Sequence, residues 1–173
     1  VRTARAMGLS VVVEEYESRG DWTRNCHYKP VFIEKMLRKY KRPVLWLDAD
    51  SRIRRYPKVF DNLKADIGWV WWDWDEIQSC ALRGLELSAA VLYLRPKPDV
   101  YRMLAAWQKA NTQSTSQPDQ ANLQAMLEGG FKQGKLKAEM LPYTYSQIFD
   151  LHRNVGAPVI EQMQASRRFR SAV

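Results

Sequence analysis

Residues 42–53 read Arg42-Pro43-Val44-Leu45-Trp46-Leu47-Asp48-Ala49-Asp50-Ser51-Arg52-Ile53, and the rest of the chain is best understood around them. Four consecutive apolar residues, preceded by a proline and followed by two acids, predict a short strand that is buried on both faces. Such strands are typical of the centre of a parallel sheet. Ligands of these sheets bind beyond the carboxyl ends of the strands, and here that end is Asp48-Ala49-Asp50.

The two acids, Asp48 and Asp50, are candidates for a metal site. In extended backbone, residues two apart point to the same side, with Cα atoms roughly 6.5–7 Å apart. Two carboxylates placed in this way can share one hard divalent cation, whose shell is completed by water and ligand phosphates. The alternative interpretation is that the two acids simply begin a polar turn.

Composition indicates a globular protein with an anionic partner. The chain has 173 residues, of which 46% are hydrophobic and 27% charged, so we expect a single domain over residues 1–173. The formal net charge of +8 favours nucleotide phosphates, nucleic acid or an acidic membrane surface. Much of the excess is clustered at residues 38–42, 52–55 and 167–170. Each cluster can also be an ordinary solvated surface.

Cysteine usage and hydropathy bear on the cellular setting. Cys26 and Cys80 are the two cysteines, too few for a disulfide framework or a zinc motif. A reducing, cytoplasmic location is therefore expected. The sequence shows no signal peptide and no apolar run of the roughly 18 residues that a membrane-spanning helix needs.

The order of predicted elements is that of an α/β protein with a mostly parallel sheet. Proline favours the first turn of a helix, which predicts helices beginning at Lys29-Pro30, Pro98 and Pro118. Short β-branched or apolar runs predict strands. These strands cover residues 9–15, 44–47, 66–72, 85–94, 140–143 and 158–160.

At this point the chain resembles the GT-A-fold glycosyltransferases, most nearly the glycogenin-like and related nucleotide-sugar transferases. Five segments carry the resemblance, in the order found in the family. They are Lys29-Pro30, residues 44–50, Leu87-Ser88-Ala89-Ala90-Val91, residues 119–123, and Leu141-Pro142-Tyr143 followed by Pro158-Val159-Ile160 and the basic tail. The resemblance implies a single Rossmann-like GT-A domain.

The resemblance also implies roles for individual residues near the donor. Asp48 and Asp50 would hold Mn²⁺ or Mg²⁺ on the diphosphate, where a cation neutralises the charge of the leaving group. Lys29 would reach the sugar or phosphate end of the donor. Ser88 and Ala89 would contact the donor sugar, since small side chains let a ring approach the backbone. Without the resemblance, Lys29 reads as a surface lysine and Ala90 as tight strand packing.

Three further residues are candidates for a role in the transfer reaction, and one is a candidate for binding the donor. Asp119 and Gln120 match the acid-amide pair beside the transferred sugar, where Asp119 would bind hydroxyls or stabilise an oxocarbenium-like transition state. The alternative for Asp119 is an acid in the first turn of a helix. Asp73, at a predicted strand end, is an acceptor-side or base candidate. Arg167, in the basic tail, is a donor-binding candidate.

The sequence departs from the family in two places. Related transferases supply a late histidine as a third metal ligand, whereas the matching region here contains Gln162 and Gln164. Gln162 or Gln164 could bind the metal through its amide oxygen, water could take the place, or the affinity for metal could be low; His152 lies outside the motif. The family also begins with a strand that holds the nucleobase, and that strand is expected to precede Val1.

These observations predict a metal-dependent glycosyltransferase that uses a nucleotide-diphosphate sugar and retains anomeric configuration. The acceptor is unidentified, and the positive charge admits a polyanion such as DNA. Two alternatives stay open at this stage. One is an aspartate-dependent phosphatase, whose nucleophile occupies a similar strand-end motif. The other is a catalytically decayed module that binds nucleic acid or glycan through a basic, aromatic surface.

Overall fold

A computed structural model describes residues 1–77, 84–129, 136–152, 155–165 and 167. Cys80 and the basic residues Arg168 and Arg170 lie outside the described residues. The helices are α1 (Arg2–Ala6), α2 (Trp22–Cys26), α3 (Lys29–Tyr40), α4 (Val59–Asn62), α5 (Trp74–Ile77), α6 (Pro98–Gln113) and α7 (Asp119–Glu128), with a 3-10 turn at Tyr143–Tyr145. The strands are β1 (Val44–Leu47), β2 (Ser51–Ile53), β3 (Ile67–Asp73), β4 (Leu85–Leu94), β5 (Ala138–Met140), β6 (Gln147–Ile148) and β7 (Ile160–Gln162).

The main sheet has four strands in the order β1-β4-β3-β5, and a smaller sheet has the order β2-β7-β6. The α/β class is confirmed, but the prediction of a mostly parallel sheet is only partly right. β3 pairs with β5 in parallel, whereas β4 runs antiparallel to both β1 and β3. β3 and β4 are joined by residues 74–84, a connection shorter than the crossover of a dozen or more residues that parallel neighbours need.

Both faces of the main sheet are covered by apolar layers. Side chains alternate along β1, so that Val44 and Trp46 pack into the layer under α3 and α6, while Leu45 and Leu47 pack into the opposite one. Both faces of β1 are therefore covered, but its four residues are only partly buried, so the prediction of a fully buried strand is partly right. Its predicted central position was wrong, because β1 pairs with β4 alone and ends the described sheet.

The predicted strand at residues 9–15 is also wrong. This segment has no regular secondary structure, and Val12 and Val13 are exposed. A strand requires a hydrogen-bonded neighbour, and no backbone bond joins this segment to a strand among the described residues. The segment instead runs along the cleft described below. The later predicted strands are present but displaced by a few residues, as β5 and β7.

Hydropathy of the helices adds one negative finding. Within the described ranges, no helix combines the length and apolar character needed to cross a bilayer.

Candidate functional site

A cleft of about 1380 Å³ lies at the carboxyl end of β1. It brings together most of the site residues predicted from the sequence, although they come from α3, the β1–β2 turn, α7, β7 and the chain following β7. Those that line it are Lys29, Asp48, Asp50, Asp119, Gln120, Gln162, Gln164 and Arg167. These residues, separated in the sequence, therefore lie around one cleft.

Asp48 and Asp50 belong to a tight turn between β1 and β2. The amide of Ser51 donates to the carbonyl of Asp48 (2.9 Å), which closes the turn directly after Leu47. The assumption of extended backbone through Asp48-Ala49-Asp50 was wrong, because β1 ends one residue before the first acid. Both carboxylates nonetheless line the same cleft.

Asp48 and Asp50 each use one carboxylate oxygen in contacts with the protein. Asp48 Oδ1 accepts from the indole Nε1 of Trp46 (2.8 Å) and lies 3.1 Å from the ammonium of Lys29. Asp50 Oδ2 accepts from the backbone amide of Ala165 (2.7 Å). Each carboxylate thus keeps its other oxygen, for which the described part of the chain shows no partner.

Lys29 is an internal cation. It is 7% exposed, and its Nζ lies 2.9 Å from Asp119 Oδ2 and 3.1 Å from Asp48 Oδ1, while it donates to the carbonyl of Ala89 (3.1 Å). Pro30 follows it in the first turn of α3, which fixes the point from which the side chain enters the cleft wall. Its partners are therefore protein oxygens, and the predicted contact with the donor stays a prediction.

The protonation of this cluster follows from burial and charge together. Burial alone would lower the pKa of Lys29, but Asp119 and Asp48 outweigh burial and raise it above the ordinary lysine value. Burial raises the pKa of Asp119; the Lys29 ammonium opposes this shift, and the charge of Asp48 adds to it. The cluster is thus one firmly charged ammonium shared by two carboxylates, one of which is nearly excluded from solvent.

Asp119 is placed by the beginning of α7. Trp107 of α6 is fully buried and donates its indole N–H to the backbone carbonyl of Asp119 (2.7 Å), which ties the start of α7 to α6. The side chain of Asp119 is 5% exposed. Asp119 thus lies in the first turn of a helix and also lines the cleft, so the two interpretations of this residue are compatible.

Glu86 lines the cleft and was missed by the sequence reading. Gln120 donates its amide N–H to Glu86 (2.6 Å) and accepts from the backbone amide of Ala89 (3.0 Å). Trp74 donates its indole N–H to the second oxygen of Glu86 (2.8 Å). An acid at the start of a strand carries no pattern of its own. The signal that could have found it was its position two residues before the Ser88-Ala89-Ala90 segment.

Ser88, Ala89 and Asp73 do not line the cleft. The Ser88 hydroxyl is fully buried and bonds to that of Ser146 (2.6 Å), while Ala89 contributes its backbone rather than its side chain. Asp73 accepts from the backbone amides of Asp75 and Glu76 (3.1 and 3.2 Å), and so begins the short helix α5. Their proposed roles stay predictions.

Gln162 and Arg167 also line the cleft. Gln162 is 1% exposed, and its Oε1 accepts from the hydroxyl of Ser51 (2.7 Å). Arg167 donates to Asp150, with one contact at 3.1 Å, and its guanidinium lies 5.9 Å from the centre of the Phe149 ring.

The donor set fits a weakly held divalent cation. No group of three or more His, Cys, Asp or Glu side chains within the described residues is arranged to hold a metal. Magnesium-type sites, however, commonly use one or two carboxylates, together with water and substrate phosphates. The remaining oxygens of Asp48 and Asp50 meet that description. His152 is fully buried and does not line the cleft, so it takes no part.

The charge of the cleft differs from that of the chain. Among the described residues, five carboxylates line it, against three cationic side chains. The five are Glu14, Asp48, Asp50, Glu86 and Asp119, and the three are Lys29, Arg42 and Arg167. A basic protein thus carries an acidic cleft.

Comparison with known proteins identifies the fold and the family of this chain. The chain resembles a glycosyltransferase involved in the glycosylation of the major capsid of PBCV-1, at 16% identity and a TM-score of 0.69, over 98% of this chain and 85% of that one. It also resembles mouse xyloside xylosyltransferase 1, at 16% identity and a TM-score of 0.52, over 95% and 71% of the two chains. At this identity the likeness concerns the fold. Among curated proteins no significant sequence match is found. A family model described as nucleotide-diphospho-sugar transferase matches residues 21–165, and the chain therefore belongs to the nucleotide-diphospho-sugar transferase family.

Proposed function

We propose that this protein transfers a glycosyl group from a nucleotide-diphosphate sugar to an acceptor hydroxyl, with the aid of Mn²⁺ or Mg²⁺. The observation that carries the proposal is the convergence of Asp48, Asp50 and Asp119 in one cleft of a family member. Family membership also favours this activity over the aspartate-dependent phosphatase.

The charge of the cleft supports the need for a cation. Carboxylates outnumber cationic side chains there, and Lys29 and Arg167 are already paired with protein carboxylates. A diphosphate would therefore meet net negative charge unless a divalent ion accompanies it. Asp48 and Asp50 are the residues that would hold the ion, and when bound it would neutralise the departing diphosphate.

The remaining residues would position the sugar. Within the described part of the chain, Asp119 Oδ2 has no hydrogen-bond donor besides the ion-paired Lys29 ammonium, and Gln120, the next residue, is hydrogen-bonded to Glu86. In this proposal their oxygens accept hydroxyl protons of the transferred sugar and hold its ring in one orientation. Retention of anomeric configuration is part of the proposal and rests on the glycogenin-like resemblance. NMR of the product's anomeric proton tests it.

A polyanionic acceptor such as DNA is a second candidate, favoured by one observation. Arg42 lines the cleft and continues the exposed basic run of Arg38, Lys39 and Lys41 at the end of α3. Such an acceptor would bind with an affinity that falls steeply as salt increases. Affinity for an uncharged acceptor would be nearly independent of salt.

The test is release of nucleoside diphosphate from a panel of nucleotide sugars, with Mn²⁺, with Mg²⁺ and with chelator. We expect turnover that requires the cation and is lost in Asp50→Ala. Asp61→Ala, an acid outside the cleft, is the matched control and should retain it. Absence of turnover together with intact binding of nucleic acid would instead indicate a decayed binding module.

A further inference from the structure

Gln162 occupies the region where related transferases place a metal-binding histidine, and its surroundings fix how its amide can be used. β7 pairs with β2 so that Gln162 lies opposite Ser51, the residue that directly follows Asp50. The ladder therefore holds Gln162 beside the two acids of the turn, on regular backbone rather than in a loop. Any role it has toward a ligand is exercised from a fixed position.

The two ends of the amide are in different situations. Its oxygen, Oε1, accepts the hydroxyl proton of Ser51 at 2.7 Å. Its nitrogen, Nε2, is buried and has no hydrogen-bond partner among the described residues, although Gln162 lines the cleft. Buried polar groups are nearly always hydrogen-bonded, so an NH₂ group left in this state is one that a ligand can satisfy.

An amide NH₂ donates hydrogen bonds and cannot coordinate a hard cation, which takes oxygen ligands. The unpartnered NH₂ group of Gln162 is thus complementary to an oxygen anion. Arg167 also lines the cleft, with its guanidinium paired to Asp150, so the contact proposed for Gln162 does not depend on its charge.

Resting on the function proposed above, we propose that Gln162 is a hydrogen-bond donor to a phosphate oxygen of the nucleotide-diphosphate ligand, and not a ligand of the metal. In this role it replaces part of the charge compensation that a third metal ligand would provide. Asp48 and Asp50 would then be the protein's contribution to the cation, and Gln162 would contact the diphosphate directly. Ser51 acts as a positioning residue, since its hydroxyl binds the amide oxygen and leaves the NH₂ group for the ligand.

Gln162→Glu separates the two roles because they predict changes of opposite sign. A glutamate would strengthen a metal site by adding a charged oxygen, but it removes the donor and repels phosphate. We expect binding of nucleoside diphosphates, titrated with ADP, CDP, GDP, UDP and dTDP in Mn²⁺, to weaken by roughly tenfold to a hundredfold, the range for a hydrogen bond to a charged group. Affinity for Mn²⁺ alone should not fall, since the two turn acids are intact.

Two variants complete the design. Gln164→Glu adds the same charge at another residue that lines the cleft, two positions away, and its nucleotide binding should change much less than that of Gln162→Glu. Gln162→Met removes the donor without adding charge and should weaken binding by about tenfold. If thermal unfolding shows that Gln162→Glu does not fold, Gln162→Met tests the inference in its place.

The outcomes distinguish this inference from the proposed function. If wild-type protein binds none of the nucleoside diphosphates, the proposed function fails. If wild type binds one of them, the inference is overturned by any of three results. These are equal or tighter nucleotide binding in Gln162→Glu, an equal loss in Gln164→Glu, or unchanged affinity in Gln162→Met.

Discussion

Replacement of Lys29 by methionine should destabilise the protein far more than an ordinary lysine substitution. The side chain is 8% exposed and shares its charge between Asp119 and Asp48. Methionine keeps much of the apolar stem but leaves Asp119 buried without its counter-ion. Removing one partner of a buried ion pair costs about 3–5 kcal/mol. For a chain of this length that loss corresponds to a fall in Tm of roughly 6–20 °C.

Lys35→Met provides the matched control on the same helix. Lys35 also pairs with a carboxylate, that of Glu14, but its side chain is 52% exposed. Exposed pairs contribute about 0–1 kcal/mol, so the same substitution should have little effect there. Urea unfolding at neutral pH gives the two free energies of unfolding directly.

The cost of Lys29→Met should also depend on Asp119. In an Asp119→Asn background the buried charge is gone, and we expect the effect of Lys29→Met to fall by more than half. Equal costs in the two backgrounds, or a Lys29→Met effect no larger than that of Lys35→Met, would refute the assignment of Lys29 as the internal counter-ion.

The pH dependence has a definite sign. Because the pKa of Lys29 is raised in the folded state, its stabilising contribution is complete below the ordinary lysine value of 10.5 and is lost as pH rises beyond it. The difference in unfolding free energy between wild type and Lys29→Met should therefore shrink above about pH 10.5. A difference that stays constant from pH 9 to pH 11 would contradict this.

Three other substitutions test separate parts of the site. Asp50→Asn should weaken Mn²⁺-dependent binding of nucleoside diphosphate at least ~10-fold by calorimetry, with no comparable loss in Asp61→Asn. Gln120→Leu should lower the free energy of unfolding by about 1–3 kcal/mol, because it leaves the Ala89 amide unpaired. It should also reduce glycosyl transfer, and activity equal to that of wild type would disprove this. Burial lowers the pKa of His152 from 6.5 to about 4. As pH falls from 6.5 to 4, the unfolded state binds a proton that the folded state does not, so the free energy of unfolding decreases by about 3 kcal/mol. His152→Asn should lack this decrease when unfolding is measured at acid pH.

The parts of the fold that could be predicted were those with a local physical cause. Proline placed the beginnings of α3, α6 and α7, and the apolar run before Asp48 placed β1. Sheet direction could not be read from such signals, because it depends on which strands become neighbours. The length of the connection between β3 and β4 was the one clue to the antiparallel return.

For the site, too, some features could be predicted from the sequence and others could not. The residue types and their order were enough to gather Lys29, Asp48, Asp50 and Asp119 at one cleft. What each side chain binds was not accessible, because that depends on partners distant in sequence. Lys29 illustrates this: it reads as an exposed helix-start lysine, yet it is buried by contacts with Asp119 and Ala89, which come from α7 and β4.

The shortness of β1 explains why the site lies where it does. β1 pairs with β4 only from Val91 to Leu94, and the amide of Asp48 makes the last contact, with the carbonyl of Ala90 (3.0 Å). The first half of β4 therefore has no strand on that side among the described residues. Its backbone groups still require partners, since buried amides and carbonyls are rarely left unpaired.

Side chains of the cleft take the place of the missing strand. Gln120 and Gln124, one turn apart on α7, accept from the backbone amides of Ala89 and Leu87 at 3.0 Å each, and Lys29 donates to the carbonyl of Ala89. Lys29 and Gln120 line the cleft and also supply hydrogen-bond partners for the backbone of β4. Because the same hydrogen bonds hold β4 and orient the cleft, substitutions at Lys29 and Gln120 should lower stability and transfer together. A polar side chain that only faced the ligand would change transfer alone.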